Sequence, residues 1–322
     1  MIKPTTCFFI FSSLLLVVFA KAQDPHFGGQ QVMNIWYNPA LKINKFPLVH
    51  INMRSVSYPN IISYTSKAIT FELPFVGKNV TDYNNISFVN FSAGISTDNA
   101  SNQFMTASSA MMSLSYAMPL NDYNTYVALG FQGNYSFNRV GTGTTSVFPD
   151  HFDKYGALGW SMMIDPALSD LNYDYFSAGI GAAIFQDGEQ KQWYIGGSVR
   201  YFNHPYTEWS HTNQLASKDG MQAGYTIPVS ILSSISGYGN FTWQAGINEQ
   251  FIAVRYIHHF NDTSHNAFSF DLGYRASDAL VPGASLAIGA SQAAFYYEIN
   301  LFDNNYHRKA FGFSFRFNFF KD

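Results

Sequence analysis

The residues able to act as ligands, bases or nucleophiles are few and scattered. Nine histidines occur in 322 residues. None falls in an H-E-x-x-H or other zinc-type spacing, which would set two imidazoles on one helix face. His258-His259 is the densest pair. Neighbours along a strand point to opposite faces, so these two rings cannot jointly hold one ion. Asp150, His151 and Asp153 bring two carboxylates near one imidazole, in a stretch where Asp forms turns and caps loops. Gly141-Thr142-Gly143 lacks the Gly-Lys-Ser/Thr that completes a phosphate cradle. No serine stands in a G-x-S-x-G elbow. These residues point to no catalytic, metal-binding or cofactor site, and the chain is expected to be non-enzymatic.

The elements that would carry any such residues are strands. From Ala310 to Phe319 a phenylalanine stands at every second position: Phe311, Phe313, Phe315, Phe317 and Phe319. Alternate side chains of a strand point to opposite faces, so one face is all Phe and the other carries Gly, Ser, Arg and Asn. A water-soluble sheet would bury the Phe face, whereas a transmembrane barrel would turn it to lipid.

Export and composition favour the barrel. Met1-Ile2-Lys3, an apolar run from Cys7 to Phe19 and Ala20-Lys21-Ala22 form a signal peptide over residues 1–22, cleaved before Gln23. Cys7, the one cysteine of the chain, leaves with it, so neither disulfides nor thiol chemistry are available to the mature protein. Charged residues make up 12% and aromatics 18%, against roughly 25% charged in soluble domains. Mean hydropathy is nevertheless −0.07, as expected where apolar and small polar residues alternate. A net charge of −3 leaves no basic footprint for nucleic acid. After the signal peptide no apolar run approaches a spanning helix, so membrane residence must be through strands.

Alternating stretches bounded by turn residues predict about fourteen antiparallel strands, from Leu48–Ser57 to Ala310–Phe319. The expected organisation is a signal peptide (1–22), an N-terminal periplasmic segment (23–47) and an all-β transmembrane barrel (48–322) in the outer membrane, in contact with its lipid. Two stretches break the rhythm, Arg139–Asn172 and His204–Gly220, and are expected to be long loops or a partial plug. Inward-facing Arg200, Arg255, Arg275 and Arg316 are expected to meet lumenal carboxylates such as Asp271 or Glu298, because a lipid-facing Arg at the midplane costs about 2–4 kcal/mol. Tyr58, Tyr64, Trp193, Trp209 and Tyr256 are expected in interfacial girdles.

Several blocks together resemble the PorP/SprF outer-membrane proteins of the type IX secretion system. The mature start Gln23-Asp24-Pro25-His26-Phe27 and then Asn38-Pro39-Ala40 match the family's opening. Arg54-Ser55-Val56-Ser57-Tyr58-Pro59 matches the end of its first strand. Further matches are Phe148-Pro149-Asp150-His151-Phe152-Asp153, Asp174–Gly181, Asn203-His204-Pro205, Leu272-Gly273-Tyr274-Arg275, Asp278-Ala279-Leu280-Val281-Pro282 and Tyr296-Tyr297-Glu298-Ile299-Asn300. The chain departs from the family pattern at Gly28-Gly29-Gln30-Gln31 and at Leu41-Lys42. The resemblance implies an accessory barrel that assists secretion or surface anchoring of partner adhesins, as in gliding or surface attachment. It implies two kinds of partner: a cargo's C-terminal domain at the loops, and periplasmic ring or lipoprotein components, for which Gln23–Phe46 is the expected dock. The alternative is an outer-membrane channel for small solutes.

Overall fold

The computed structural model describes residue 27 and residues 33–43, 45–58, 62–76, 86–100, 105–121, 124–140, 152–153, 156–157, 172–188, 191–206, 214–261, 266–301 and 308–319. The signal peptide, Trp209, Asp150 and His151 lie outside them.

Fourteen antiparallel strands close into one barrel. They are β1 (Leu48–Tyr58), β2 (Ile62–Val76), β3 (Phe88–Ala100), β4 (Met105–Asn121), β5 (Thr125–Val140), β8 (Tyr173–Asp187), β9 (Gln192–Arg200), β10 (Lys218–Ser230), β11 (Ser233–Gln244), β12 (Ile247–His259), β13 (Ala267–Arg275), β14 (Ala279–Ile288), β15 (Ser291–Asn300) and β16 (Lys309–Asn318). Each pairs with its neighbours in sequence, and β5 pairs directly with β8 across the excursion between them. That excursion contains a two-stranded ladder, β6 (Phe152–Asp153) with β7 (Gly156–Ala157). The seam joins β1 to β16, from Leu48 opposite Asn318 to Ser57 opposite Lys309.

The strand pattern matches the expected fold, with shifts at the ends. For β11 the alternation predicts Tyr238 to Gly246, whereas the strand is Ser233–Gln244. Ser233 and Ser234 pair with His258 and Ile257, extending the ladder beyond the alternating stretch. At the other end Ala245 and Gly246 both take positive φ (50° and 80°), the paired left-handed residues of a two-residue hairpin turn.

Burial follows the strand period with the sense of a membrane protein. On β16 Ala310, Gly312 and Ser314 face inward, while Phe311 and Phe313 stand exposed on the outer wall. Elsewhere Met112 and Leu129 are 65% and 66% exposed, while Asn90 and Ser92 are fully buried. Such a distribution would be unstable in water and is favourable when the outer wall meets lipid.

The barrel ends differ. Counting antiparallel passes from β1, the long connections 141–172 and 201–217 leave from one end, called here the loop end. The other, the seam end, is where β1 begins and β16 finishes.

Candidate functional site in the barrel lumen

The segment before β1 lies inside the barrel. A single helical turn, α1 (Asn34–Tyr37), ends at Asn38, whose backbone N–H donates to Asn34 O at 2.8 Å. Pro39 comes next, and the residue before a proline is driven out of helical geometry. Asn38 is accordingly extended, with φ −148° and ψ 112°.

That turn aims the Asn38 amide into the wall. Its Nδ2 lies 3.2 Å from Ala182 O on β8, 3.1 Å from Gly197 O on β9 and 3.1 Å from Gln222 Oε1 on β10. Two N–H groups thus serve three acceptors, one of them shared. Asn38 Oδ1 accepts from the Ala40 N–H at 2.9 Å, an Asx turn that holds the side chain in place. Asn38 is 0% exposed.

Glycines make room for this loop. A Cβ on Gly130 would stand 2.6 Å from the Pro39 carbonyl carbon, and one on Gly196 would stand 2.7 Å from Asn38 Nδ2. A Cβ on Gly181 would collide with Asn38 Oδ1 and Pro39 Cδ. These are close approaches that only a residue without a side chain permits.

On either side of Asn38 the segment is tied to other strands. Toward the loop end, Phe27 and Met33 are buried with Ala68, and Trp36 Nε1 donates to Thr70 Oγ1 on β2 at 2.7 Å. Ser198 Oγ on β9 donates to Tyr37 O at 2.7 Å. Toward the seam end, Lys42 meets Glu72 at 3.0 Å and Lys45 Nζ donates to the Tyr126 hydroxyl at 2.6 Å. The segment therefore bridges β2 on one wall to β8, β9 and β10 on the other. Sequence alone makes residues 23–47 a separate periplasmic segment; their described part is a plug. Its polar, irregular composition fits a polar lumen as well as it fits periplasmic water.

The second lumenal feature is a charge network. Arg54 on β1 meets Glu298 on β15 through both nitrogens, Nε to Oε1 at 2.6 Å and Nη2 to Oε2 at 2.8 Å. Arg275 on β13 adds a bond to Glu298 at 3.1 Å and one to Asp278 at 2.8 Å. Arg308, just before β16, reaches Asp278 at 2.6 Å and Glu298 at 3.3 Å. Farther along, Arg255 on β12 holds Asp271 on β13 at 2.5 Å. Such pairs survive burial because each charge keeps a hydrogen-bonded opposite.

Of the four arginines expected to find lumenal carboxylates, Arg255 and Arg275 do so. Arg200 donates to the plug, Nη1 to Trp36 O at 3.4 Å, with its guanidinium 5.9 Å from the Tyr37 ring centroid. Arg316 faces inward without an ion pair among the described residues. His259 lines the lumen, whereas His258 Nδ1 lies 3.0 Å from Ser233 Oγ, so the two imidazoles are directed apart. Tyr58 and Tyr64 sit edge to face, 6.4 Å apart, where β1 turns into β2.

Residues of the widely spaced sequence blocks come together here: Asn38, Gly181, Arg54, Arg275, Asp278 and Glu298. Sequence reasoning missed the role of Asn38. The available signal was an Asn-Pro step in a chain with several strand glycines of no evident turn use. Two cavities flank the plug. The loop-end cavity, about 260 Å³, is lined by Phe27, Trp36, Tyr175 and Arg200. The seam-end cavity, about 320 Å³, is lined by Lys42, His50, Glu72, Arg255 and Arg316.

No protein-family model matches the chain, and no curated protein does. Solved structures do. The Ralstonia pickettii toluene transporter TbuX is 9% identical with a TM-score of 0.52, over 88% of this chain and 92% of that one. The deltaS2 mutant of the TodX monoaromatic hydrocarbon channel is 7% identical with a TM-score of 0.51, over 88% and 93%. At such identities the likeness is one of fold: this chain folds as a barrel of the outer-membrane type.

Proposed function

We propose that this protein is a non-enzymatic outer-membrane barrel of the type IX secretion machinery, of the PorP/SprF kind, assisting the secretion or surface anchoring of a partner adhesin. The observation that carries this reading is the convergence of the resemblance residues in the lumen. Asn38-Pro39-Ala40 plugs the barrel, and Arg54, Arg275, Asp278 and Glu298 form one charge network beside the seam. A barrel filled by its own chain is suited to presenting surfaces. In this reading the loop end faces outward and offers 141–172 and 201–217 to a cargo's C-terminal domain, since long loops in such barrels are extracellular. The seam end faces the periplasm and meets ring or lipoprotein components.

The test is a mild-detergent pull-down of the tagged protein from outer membranes, with the co-purifying proteins identified by mass spectrometry. Recovery of a large secreted adhesin or of periplasmic ring subunits is the expected result. Reproducible recovery of the folded barrel alone would sink the proposal.

A second reading, a channel for small solutes, is favoured by the two cavities on either side of the plug. It requires the plug to move. Solute-dependent conductance of the wild-type barrel in planar bilayers would support it.

A further inference from the structure

We propose that the seam-end cavity is a binding site for a small soluble anion bearing a carboxylate or phosphate group, with Arg316 as its principal ligand. The proposal goes beyond the secretion role and does not rest on it.

An arginine stays protonated at any pH a folded protein meets, and it carries five donors and no acceptor. Arg316 stands on β16 between His50 of β1 and Gln292 of β15, on the face that carries Ser314 and Asn318 inward. Its guanidinium lines the cavity, and its Nε is buried with no acceptor.

The nearby carboxylates are already taken. Glu72 is held by Lys42 at 3.0 Å and lies 3.6 Å from His50. Asp271 is held by Arg255. With Glu72 and Asp271 each paired to another cation, Arg316 has no carboxylate of its own at ion-pair distance among the described residues of this cavity.

Leaving a half-buried guanidinium with an unbonded Nε beside a cavity is costly, and the cost falls when an anion joins it. A carboxylate or phosphate fits the planar fork of Arg316 with two parallel hydrogen bonds. The rest of the cavity suits such a guest. Arg255, 7% exposed, also lines it and keeps a buried Nη2 without an acceptor. The hydroxyls of Ser236, Ser269 and Ser285 lie on the same wall. About 320 Å³ sits at the small end of the roughly 300–1,000 Å³ of ligand pockets. Because the strands wall the cavity off from lipid, the guest is a soluble ion and not a headgroup.

The experiment uses the full barrel, purified in detergent. Thermal unfolding is measured by heat-dependent gel mobility while inorganic phosphate or succinate is added at constant ionic strength. We expect one of them to raise the unfolding temperature of the wild type in a saturable way. The apparent affinity should fall about tenfold or more in Arg316→Gln. Arg316→Lys, which keeps the charge and loses the fork, should fall between them. It also serves as the reporting variant should the glutamine form fail to fold. A response to phosphate alone identifies a phosphate site, and one to succinate alone a carboxylate site. No saturable response in the wild type, or equal responses in wild type and variants, would overturn the proposal and leave a lumen filled by water.

Discussion

Arg54 and Glu298 stand on strands that do not touch, yet their side chains meet in a two-point ion pair with bonds of 2.6 and 2.8 Å. β16 lies between them. Where Arg54 crosses it, its partner is Gly312, and Glu298 stands opposite Ala310. Gly and Ala on the inner face of β16 leave the room the guanidinium needs. The alternation that puts Phe311 and Phe313 outside thus puts a gap inside, and the gap lets one ion pair bridge the seam.

This arrangement predicts unequal effects at its two ends. Glu298→Gln removes the negative charge and one of the two acceptor oxygens shared by Arg54, Arg275 and Arg308, leaving buried cations short of a counter-charge. Destabilisation of about 3–5 kcal/mol is expected, as for breaking a buried pair. Arg54→Met leaves Glu298 with two arginines and should cost less. Urea titration in detergent, read by gel mobility, ranks the two; a larger loss in Arg54→Met would contradict the network.

Replacing the plug's central amide should discriminate donor from acceptor roles. Asn38→Ala removes the bonds to Ala182, Gly197 and Gln222, each such loss costing about 1–3 kcal/mol when a buried partner is left unsatisfied. Asn38→Asp is predicted to be worse, because a carboxylate would face three acceptors with nothing to donate. Maleimide labelling of an Ala40→Cys reporter measures plug exposure, without competing thiols once the signal segment is removed. Labelling should rise from wild type to the alanine and again to the aspartate form.

The glycine cradle gives a steric test. Gly130→Val places atoms where the Pro39 backbone now lies, and packed backbone cannot yield as a flexible side chain can. The plug should be displaced while the outer wall, hydrogen-bonded between strands, stays closed. Planar-bilayer recordings should show persistent openings absent from the wild type. Unchanged conductance together with unchanged Ala40→Cys labelling would show the plug undisturbed.

A fourth prediction concerns acid. Asp278 lies in the turn between β13 and β14. Burial pushes its carboxyl pKa up, but Arg275 and Arg308 outweigh this and hold it below the ordinary 3.8. Folded-state depression means the stabilisation is fully present above the unfolded value and is lost as pH falls through the folded one. Unfolding temperature should therefore hold steady above about pH 5 and decline below about pH 4. In Asp278→Asn that decline should be shallower, starting from a lower plateau.

Strand number, face and order were readable because their signal is local. Phe311 to Phe319 declares its two faces with no knowledge of any partner, and the same period recurs in strand after strand. Closure into a barrel then results from having one apolar and one polar face on every strand, since each ladder edge needs a mate in lipid. The inward placement of Arg255 and Arg275 was readable for the same reason: a charge on an alternating strand has only two faces to choose from.

The pairing of Arg255 and Arg275 with carboxylates such as Asp271 and Glu298 was readable, but partnership over longer separations was not. Asn38 finds Ala182, Gly197 and Gln222 across separations of 144 to 184 residues, and Arg54 finds Glu298 at 244. No local period encodes such distances; they are set by barrel circumference and strand register. Residues 33–46 carry no alternation at all, so their composition fitted a periplasmic segment and a lumenal plug equally. Only closure of the barrel produced an enclosed polar space with glycine-lined walls. That enclosed space gave the plug its place and left Arg316 beside a cavity with no ion pair among the described residues.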